Sequence, residues 1–216
     1  MNKTDLKLYA ITDRQWLHGA RLSEHVKLAI EGGATMIQIR DKDILSTDSD
    51  AGLKDEYNEA LEIKRICHEH KVPLIINDNV QFAIDIDADG VHLGQDDMNP
   101  AEARNLLGTD KIIGVTAKTV EQAKRAEADG ADYLGSGAVF GSTTKLNAKP
   151  MTKELLREIT AAVDIPVVAI GGINADNAST LKGTGIAGIA VVGAIFASED
   201  IKAAAKALAE ICDNML

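Results

Sequence analysis

Residues 112–134 read IIGVTAKTVEQAKRAEADGADYL. Ile112–Val115 is a short aliphatic run of strand length, and Val120–Ala128 carries apolar residues at three- and four-residue spacing, the helical period. Thr119-Val-Glu-Gln122 has the capping-box pattern of a helix start. Asp129-Gly-Ala131 supplies a glycine where a left-handed cap turns the chain back towards a sheet. Tyr133-Leu134 then opens the next aliphatic run. The segment is one complete strand–helix–strand unit.

The same unit recurs in both directions. Strand runs are expected at Leu6–Thr12, Met36–Ile39, Leu74–Ile76, Val91–Leu93, Ile112–Val115, Tyr133–Leu134, Val167–Ile170 and Ile189–Val192. Helical patterns fill Leu22–Glu31, Asp55–Glu69, Val80–Ile86, Pro100–Leu107, Val120–Ala128, Lys153–Ala162, Ala175–Leu181 and Ile201–Leu216. Asn99-Pro100 reads as an N-cap followed by a first-turn proline. The glycine turn recurs as Gly32-Gly-Ala34, Asp89-Gly90 and Gly185-Ile-Ala187 before other strands. Eight even strand–helix units without a linker predict an α/β fold, a single (β/α)8 TIM barrel spanning residues 1–216. A doubly wound open sheet is the alternative, but it rarely has eight such even units.

Composition narrows the function. The 216 residues carry a net charge of −10, with 45% hydrophobic and 3% aromatic residues. The core must therefore be aliphatic and rich in small residues. The acidic balance argues against a sequence-independent nucleic-acid binder, which needs a basic face. No run reaches the ~18 apolar residues of a membrane span, and the start of the chain lacks a signal-peptide apolar region. Cys67 and Cys212 stand far apart outside any metal or redox spacing, which suits two buried thiols in a reducing cytoplasm. Gly183-Thr-Gly185-Ile-Ala-Gly188 matches a dinucleotide fingerprint but precedes a strand instead of following one, so that mechanism has no geometry here. Two glycosylation sequons, at Asn2 and Asn177, mean nothing without a signal peptide.

In a barrel the active site lies at the C-terminal ends of the strands. After strand 2, Gln38, Arg40 and Lys42 alternate onto one face, with Ile39 on the other. That polar, cationic face suits a diphosphate, Arg giving bidentate contacts and Lys a compact charge; a solvated strand end is the plainer alternative. Asn77-Asp78-Asn79 follows strand 3 and His92-Leu-Gly-Gln95-Asp96-Asp97 lies at strand 4. Asp78 and Asp97 are the oxygen ligands on neighbouring strand ends that Mg²⁺ would take. Helix capping is the plainer reading of Asp78 and Asn79. His92 is either a general acid/base or a hydrogen-bonded structural group. Thr116 offers a hydroxyl after strand 5. The loop from Gly135 to Lys145, with Ser142, Thr143, Thr144 and Lys145, suits an anion-binding lid. Gly171-Gly172 after strand 7 and Val192-Gly193 after strand 8 fall where barrel enzymes commonly form a phosphate site from backbone N–H groups.

Five motifs in order, Gln38-x-Arg40-x-Lys42, Asn77-Asp78, Gly90-x-His92-x-Gly94-Gln95-x-Asp97, Ser142-x-Thr144-Lys145 and Gly171-Gly172-Ile173, resemble those of the thiamine-phosphate synthases (thiamine-phosphate pyrophosphorylases) over Leu8 to about Phe196. The resemblance implies the barrel, and a transferase that joins hydroxymethylpyrimidine diphosphate to a thiazole phosphate, giving thiamine monophosphate and pyrophosphate. It implies that Gln38, Ile39, Arg40, Asp41, Lys42, Asn77 and Lys145 hold the pyrimidine diphosphate. Thr116, where the family usually has Ser, would touch the same substrate. Ser142, Thr143, Thr144, Gly171 or Gly172, Val192 and Gly193 would hold the thiazole phosphate, and Asp78 and Asp97 would bind Mg²⁺. Arg40, Lys42 and Lys145 would act catalytically by neutralising the departing pyrophosphate. The partners implied are two small anionic substrates in the cytoplasm, with no nucleic acid and no membrane; a homo-oligomer is left open. The chain departs from the family in lacking proline near Ala138 and Gly141. Lys118 replaces a frequent His, which disfavours a related thiazole tautomerase that uses a His there. Another phosphate-binding barrel, an isomerase or epimerase, is a further alternative, and a non-enzymatic binding module the outsider.

Overall fold

The computed structural model describes residues 2–40, 50–141 and 150–216, with the backbone alone at 50–54. Eight short parallel strands, β1 (Leu8–Ile11), β2 (Met36–Ile39), β3 (Leu74–Asn77), β4 (Gly90–Leu93), β5 (Ile112–Thr116), β6 (Tyr133–Gly137), β7 (Val167–Ile170) and β8 (Gly188–Val191), follow one another around a closed barrel. Closure is the pairing of β1 with β8, Leu8 opposite Ile189 and Ala10 opposite Val191, which removes both sheet edges and rules out the open sheet.

The outer layer is α1 (Leu22–Glu31), α2 (Asp50–His70), α3 (Val80–Asp85), α4 (Pro100–Leu107), α5 (Val120–Ala128), α6 (Lys153–Ala161), a four-residue α7 (Gly193–Phe196) and α8 (Ile201–Met215). Their starts obey the capping rules. Asn79 Oδ1 accepts from Phe82 N at 2.9 Å, and Asn99 Oδ1 accepts from Ala101 N at 2.9 Å with Pro100 behind it. Thr119 Oγ1 accepts from Gln122 N at 3.2 Å, but the returning Gln122 side chain accepts from Lys118 N, one residue earlier than the capping box predicts.

Several boundaries differ from expectation for local reasons. Leu6 belongs to a 3₁₀ turn, Lys3–Leu6, and not to β1. The helix expected over Ala175–Leu181 is only a 3₁₀ turn, Ala178–Leu181. There Asn174 and Asn177 use their side chains on backbone groups, Asn177 Oδ1 accepting from Asn174 N and Asn174 Oδ1 from Asp176 N. Such local bonds compete with a helix. Asp89-Gly90 is not a helix cap. The left-handed residue leaving α3 is Asp87, at φ 52°, whereas Gly90 lies within β4.

Two cores result. The larger lies between strands and helices and is aliphatic and alanine-rich; the smaller fills the barrel with Leu6, Tyr9, Met36, Ile75, Ile112, Tyr133, Val168 and Ala190 among others. The strands approach so closely that a Cβ on Gly90 would lie 2.0 Å from the Ile112 carbonyl oxygen. Gly90→Ala therefore forces β4 from β5 and should cost on the order of 3 kcal/mol. The check is the urea midpoint at unchanged slope; a variant as stable as its parent refutes this account.

Candidate functional site

Alternation along the strands turns Tyr9, Gln38, Tyr133 and His92 into the barrel. Polar groups buried there need partners. Gln38, 2% exposed, donates through Nε2 to Tyr9 Oη. Tyr9 Oη lies 2.8 Å from Tyr133 Oη, Tyr133 Oη lies 3.0 Å from His92 Nδ1, and His92 Nε2 lies 3.0 Å from Thr116 Oγ1. A hydrogen-bonded string thus crosses the barrel from β2 to β5. Glycines make the room for it: a Cβ on Gly114 would lie 2.1 Å from the Tyr133 ring, and one on Gly135 3.0 Å from the His92 ring. Burial drives the Tyr9 and Tyr133 hydroxyls well above the ordinary phenol range and pushes His92 down to about 4. Both ring nitrogens of His92 are engaged within the barrel, by Tyr133 and Thr116, which matches the reading of it as a hydrogen-bonded structural group. The sequence reading missed Tyr9 and Tyr133. The signal was available: a phenol in the middle of an aliphatic strand must find a partner inside.

Above the string is the rim. The backbone of β2 is tied to β1 by Thr12, whose N–H donates to Gln38 O at 2.9 Å and whose Oγ1 accepts from Arg40 N at 3.1 Å. Ile39 is buried on the outer face, 2% exposed, as alternation requires. Asn79 is spent as the cap of α3, which leaves Asp78 free of that duty. Asp78 adopts a left-handed φ of 60° with its N–H on His92 O at 2.9 Å, and its carboxylate accepts from Asn77 Nδ2 at 2.6 Å. Asp97 is held by Gly94 N–H, 2.7 Å from its Oδ2. The two carboxyl groups meet. Desolvation first, then hydrogen bonding and repulsion from Asp97, push Asp78 up to about 6, against the Asn77 hydrogen bond and the positive charge of Arg40. Gln95 Nε2 donates to Thr116 O at 2.6 Å and ties the β4 loop to the end of β5. Gln38, Arg40, Asn77, Asp78, Asp97 and Thr116 are therefore gathered at one end of the barrel. Asp41, Lys42, Ser142, Thr143, Thr144 and Lys145 lie outside the described residues. Among the described residues no group of three or more His, Cys, Asp or Glu side chains could hold a metal.

The glycines after β7 and β8 separate into two kinds. Gly171 and Gly172 have φ of 101° and 65°, and a Cβ on them would lie 2.4 Å from Ala138 Cβ and 2.8 Å from Phe140 O respectively. The loop after β6 packs on them, with Val139 N and Phe140 N donating to Ile170 O and Gly171 O. Their glycine is explained by chain packing alone. Gly193, at the start of α7, has no such reason: among the described residues its Cβ would meet only Ala197 Cβ, at 3.8 Å. The first N–H groups of a helix have no intrahelical acceptor, so α7 presents those of Gly193 and Ala194 beside Val192.

Cys67 and Cys212 are free and buried on α2 and α8, their thiols pushed up to about 12 and about 11 by desolvation. No helix among the described residues is long and apolar enough to cross a membrane. The contrast between the glycines predicts stability directly. Gly171→Ala should lose on the order of 3 kcal/mol through clash and left-handed strain, while Gly193→Ala should stay within about 0.5 kcal/mol of the parent. Thermal unfolding of both variants checks this; equal losses would show that Gly193 is also a packing glycine.

Comparison with known proteins identifies the family. A family model described as thiamine monophosphate synthase matches residues 8–195. The thiamine-phosphate synthase of Ruminiclostridium cellulolyticum is 47% identical over 213 residues, 99% of this chain and 98% of that protein. The enzyme of the same name from Clostridium novyi is 48% identical over 206 residues, 95% of this chain and 98% of its own. Among solved structures, thiamine phosphate pyrophosphorylase from Pyrococcus furiosus superposes with a TM-score of 0.87 at 39% identity, covering 99% of this chain and 98% of that one. A Streptococcus mutans barrel with a TM-score of 0.70 at 13% identity shares the fold alone. The chain, matched along nearly its whole length, belongs to the thiamine monophosphate synthase family.

Proposed function

We propose that residues 1–216 form one catalytic domain, a cytoplasmic thiamine-phosphate synthase. It would join hydroxymethylpyrimidine diphosphate to a thiazole phosphate with release of pyrophosphate. The observation that carries the reading is the Asp78–Asp97 pair meeting beside Arg40 at the end of the barrel where Gln38, Asn77 and Thr116 also stand. An epimerase or isomerase of a monophosphate has no need of that constellation. The tautomerase alternative is disfavoured by Lys118, exposed at the position where a His is frequent.

The residues fit Mg²⁺. Two carboxylates converge from neighbouring strand ends and repel each other, and Mg²⁺ takes one or two carboxylates, completing its shell with water and substrate phosphate. Asp78 and Asp97 would hold it, and when bound it supplies charge neutralisation at the diphosphate. The chain's own residues do the rest. Arg40, with Lys42 and Lys145 from the sequence reading, binds the diphosphate and stabilises the negative charge that grows as the bond from methylene carbon to oxygen breaks. The bonding pair leaves with pyrophosphate. The aminopyrimidine ring donates electrons to the exocyclic methylene, so the cation left behind is stabilised by the substrate. Gln38 and Thr116 hold the ring. Ser142, Thr143, Thr144, Gly171 or Gly172, Val192 and Gly193 hold the thiazole phosphate so that the thiazole nitrogen faces the methylene. Its lone pair forms the new carbon–nitrogen bond, giving the thiazolium of thiamine monophosphate. No protein nucleophile is required, and catalysis is positional. Two anionic substrates enter a protein of net charge −10, which calls for locally focused positive potential.

The direct experiment incubates the protein with both substrates and Mg²⁺ and follows pyrophosphate. Release only when both substrates are present supports the reading; release with neither order of addition ends it. Asp78→Asn and Asp97→Asn should each raise the Mg²⁺ concentration for half-maximal rate by about tenfold or more, because each removes a charged ligand. An unchanged Mg²⁺ titration in both variants would remove the metal assignment. Gly193→Val should raise the KM for the thiazole phosphate by on the order of 10²-fold with little change for the pyrimidine diphosphate, since a side chain there would fill the space beside the α7 N–H groups. Equal increases for both substrates would mean that Gly193 does not belong to the thiazole side.

A further inference from the structure

The proposed reaction uses the rim, and nothing in it uses the string beneath. Tyr9 and Tyr133 are buried, and His92 half-buried, in a barrel interior that could have been filled with leucine, and glycines at 114 and 135 leave room for the Tyr133 and His92 rings. The string ends at Gln38 and Thr116, the two residues assigned above to the pyrimidine ring.

Counting protons gives the string a direction. Gln38 Nε2 donates to Tyr9 Oη. Tyr9 is 1% exposed, so its own hydroxyl proton must go to the neighbour within reach, Tyr133 Oη at 2.8 Å. Tyr133 is fully buried and its proton then goes to His92 Nδ1 at 3.0 Å. A ring that accepts at Nδ1 carries its proton on Nε2, and that proton goes to Thr116 Oγ1 at 3.0 Å. Any other arrangement starting from the Gln38 donor strands a buried hydroxyl proton without an acceptor, which is costly. Two consequences follow at the ends. The Gln38 amide, oriented by the bond from one Nε2 proton to Tyr9, has its carbonyl oxygen left as an acceptor. Thr116 Oγ1 accepts the imidazole N–H, which turns its own hydroxyl proton away from His92 and leaves it to be donated to a ligand.

We infer that the Gln38–Tyr9–Tyr133–His92–Thr116 string fixes an acceptor at Gln38 and a donor at Thr116, and that Tyr9, Tyr133 and His92 are positioning residues which select an aminopyrimidine by the polarity of its edge. The inference rests on the assignment of Gln38 and Thr116 to the pyrimidine. An amino group donates and the adjacent ring nitrogen accepts, which complements that pair. An oxo group in place of the amino group reverses both, because the oxo oxygen accepts and the neighbouring ring nitrogen carries a proton. A site whose buried polar groups are left unpaired rejects the wrong ring far more strongly than a size mismatch would.

Three measurements decide it. In the protein without substrate, ¹⁵N NMR of His92 should show the proton on Nε2. A proton on Nδ1 means that the string runs the other way, and overturns the inference. Tyr133→Phe removes the donor to Nδ1 and should abolish the single-tautomer signal, whereas Tyr9→Phe should leave it intact. Kinetics supply the second arm, with the amino and oxo pyrimidine diphosphates as competing substrates. Tyr9→Phe frees the Gln38 amide to rotate and should lower the preference for the amino substrate, in kcat/KM, by at least about tenfold. The KM for the thiazole phosphate should stay within about twofold. A preference unchanged in Tyr9→Phe, or a loss shared equally by both substrates, reduces Tyr9 to a packing residue and overturns the inference. The third arm is the parent enzyme: if it turns over neither pyrimidine, the assigned reaction falls and the reading of the string's ends falls with it, while the tautomer alone reports the string's direction.

Discussion

Closing eight strands on themselves creates an interior that has to be filled, and the way this chain fills it governs the rest of the molecule. Aliphatic side chains such as Met36, Ile75, Ile112 and Val168 fill much of it. Gln38, Tyr9, Tyr133 and His92 occupy another part and satisfy one another in sequence. Polar groups out of water are costly when unpaired, so no member of the string can move alone. A Tyr ring needs more room than an aliphatic side chain in a barrel of this size, and Gly114 and Gly135 on the adjoining strands provide it. The interior is thus a frame in which five residues from five strands hold their positions jointly. The outer ends of that frame are the floor of the rim.

On that floor the charges are arranged against stability. Asp78 takes a left-handed backbone conformation without being glycine, and its carboxyl is pressed against that of Asp97. Strain of this kind persists only where surrounding structure imposes it. Here the imposing contacts are explicit: the Asp78 N–H is bound to His92 O, and the Asp97 carboxylate to Gly94 N–H. Repulsion between the pair is a cost in the folded protein that any cation bound between them would relieve.

The alternation of strand and helix was legible because each unit carries its own punctuation. In residues 112–134 a strand, an N-cap, a helix and a glycine turn are all present, and the observed β5, α5 and β6 begin at the residues expected. Parity was legible too: Gln38 and Arg40 fall on the inner face and Ile39 on the outer. What failed were readings that depend on partners distant in sequence. Gly90 looked like a helix cap, because glycine after a helix usually is one, but its reason is the carbonyl of Ile112 across the strand pair. Ala175–Leu181 had a helical spacing, but Asn174 and Asn177 turned their amides onto the backbone. His92 could not be assigned from the sequence because the atoms that occupy its two nitrogens belong to residues 41 and 24 positions away.

The glycines at the phosphate end show where a motif and its cause diverge. Gly171-Gly172 and Gly193 belong to one expectation, a backbone cradle after strands 7 and 8. Only the three-dimensional neighbours tell them apart. The first pair is required by Ala138 and Phe140 whether or not a phosphate ever binds. Gly193 is required by nothing in the described protein, and a helix start gains little from glycine over alanine in an interior position. A residue type that neither backbone nor packing demands is the stronger sign of a ligand, because the space it preserves has no other use in the fold. By that criterion the phosphate-site proposal draws its structural support from Gly193, whereas Gly171 and Gly172 are already accounted for by the loop after β6 that packs on them.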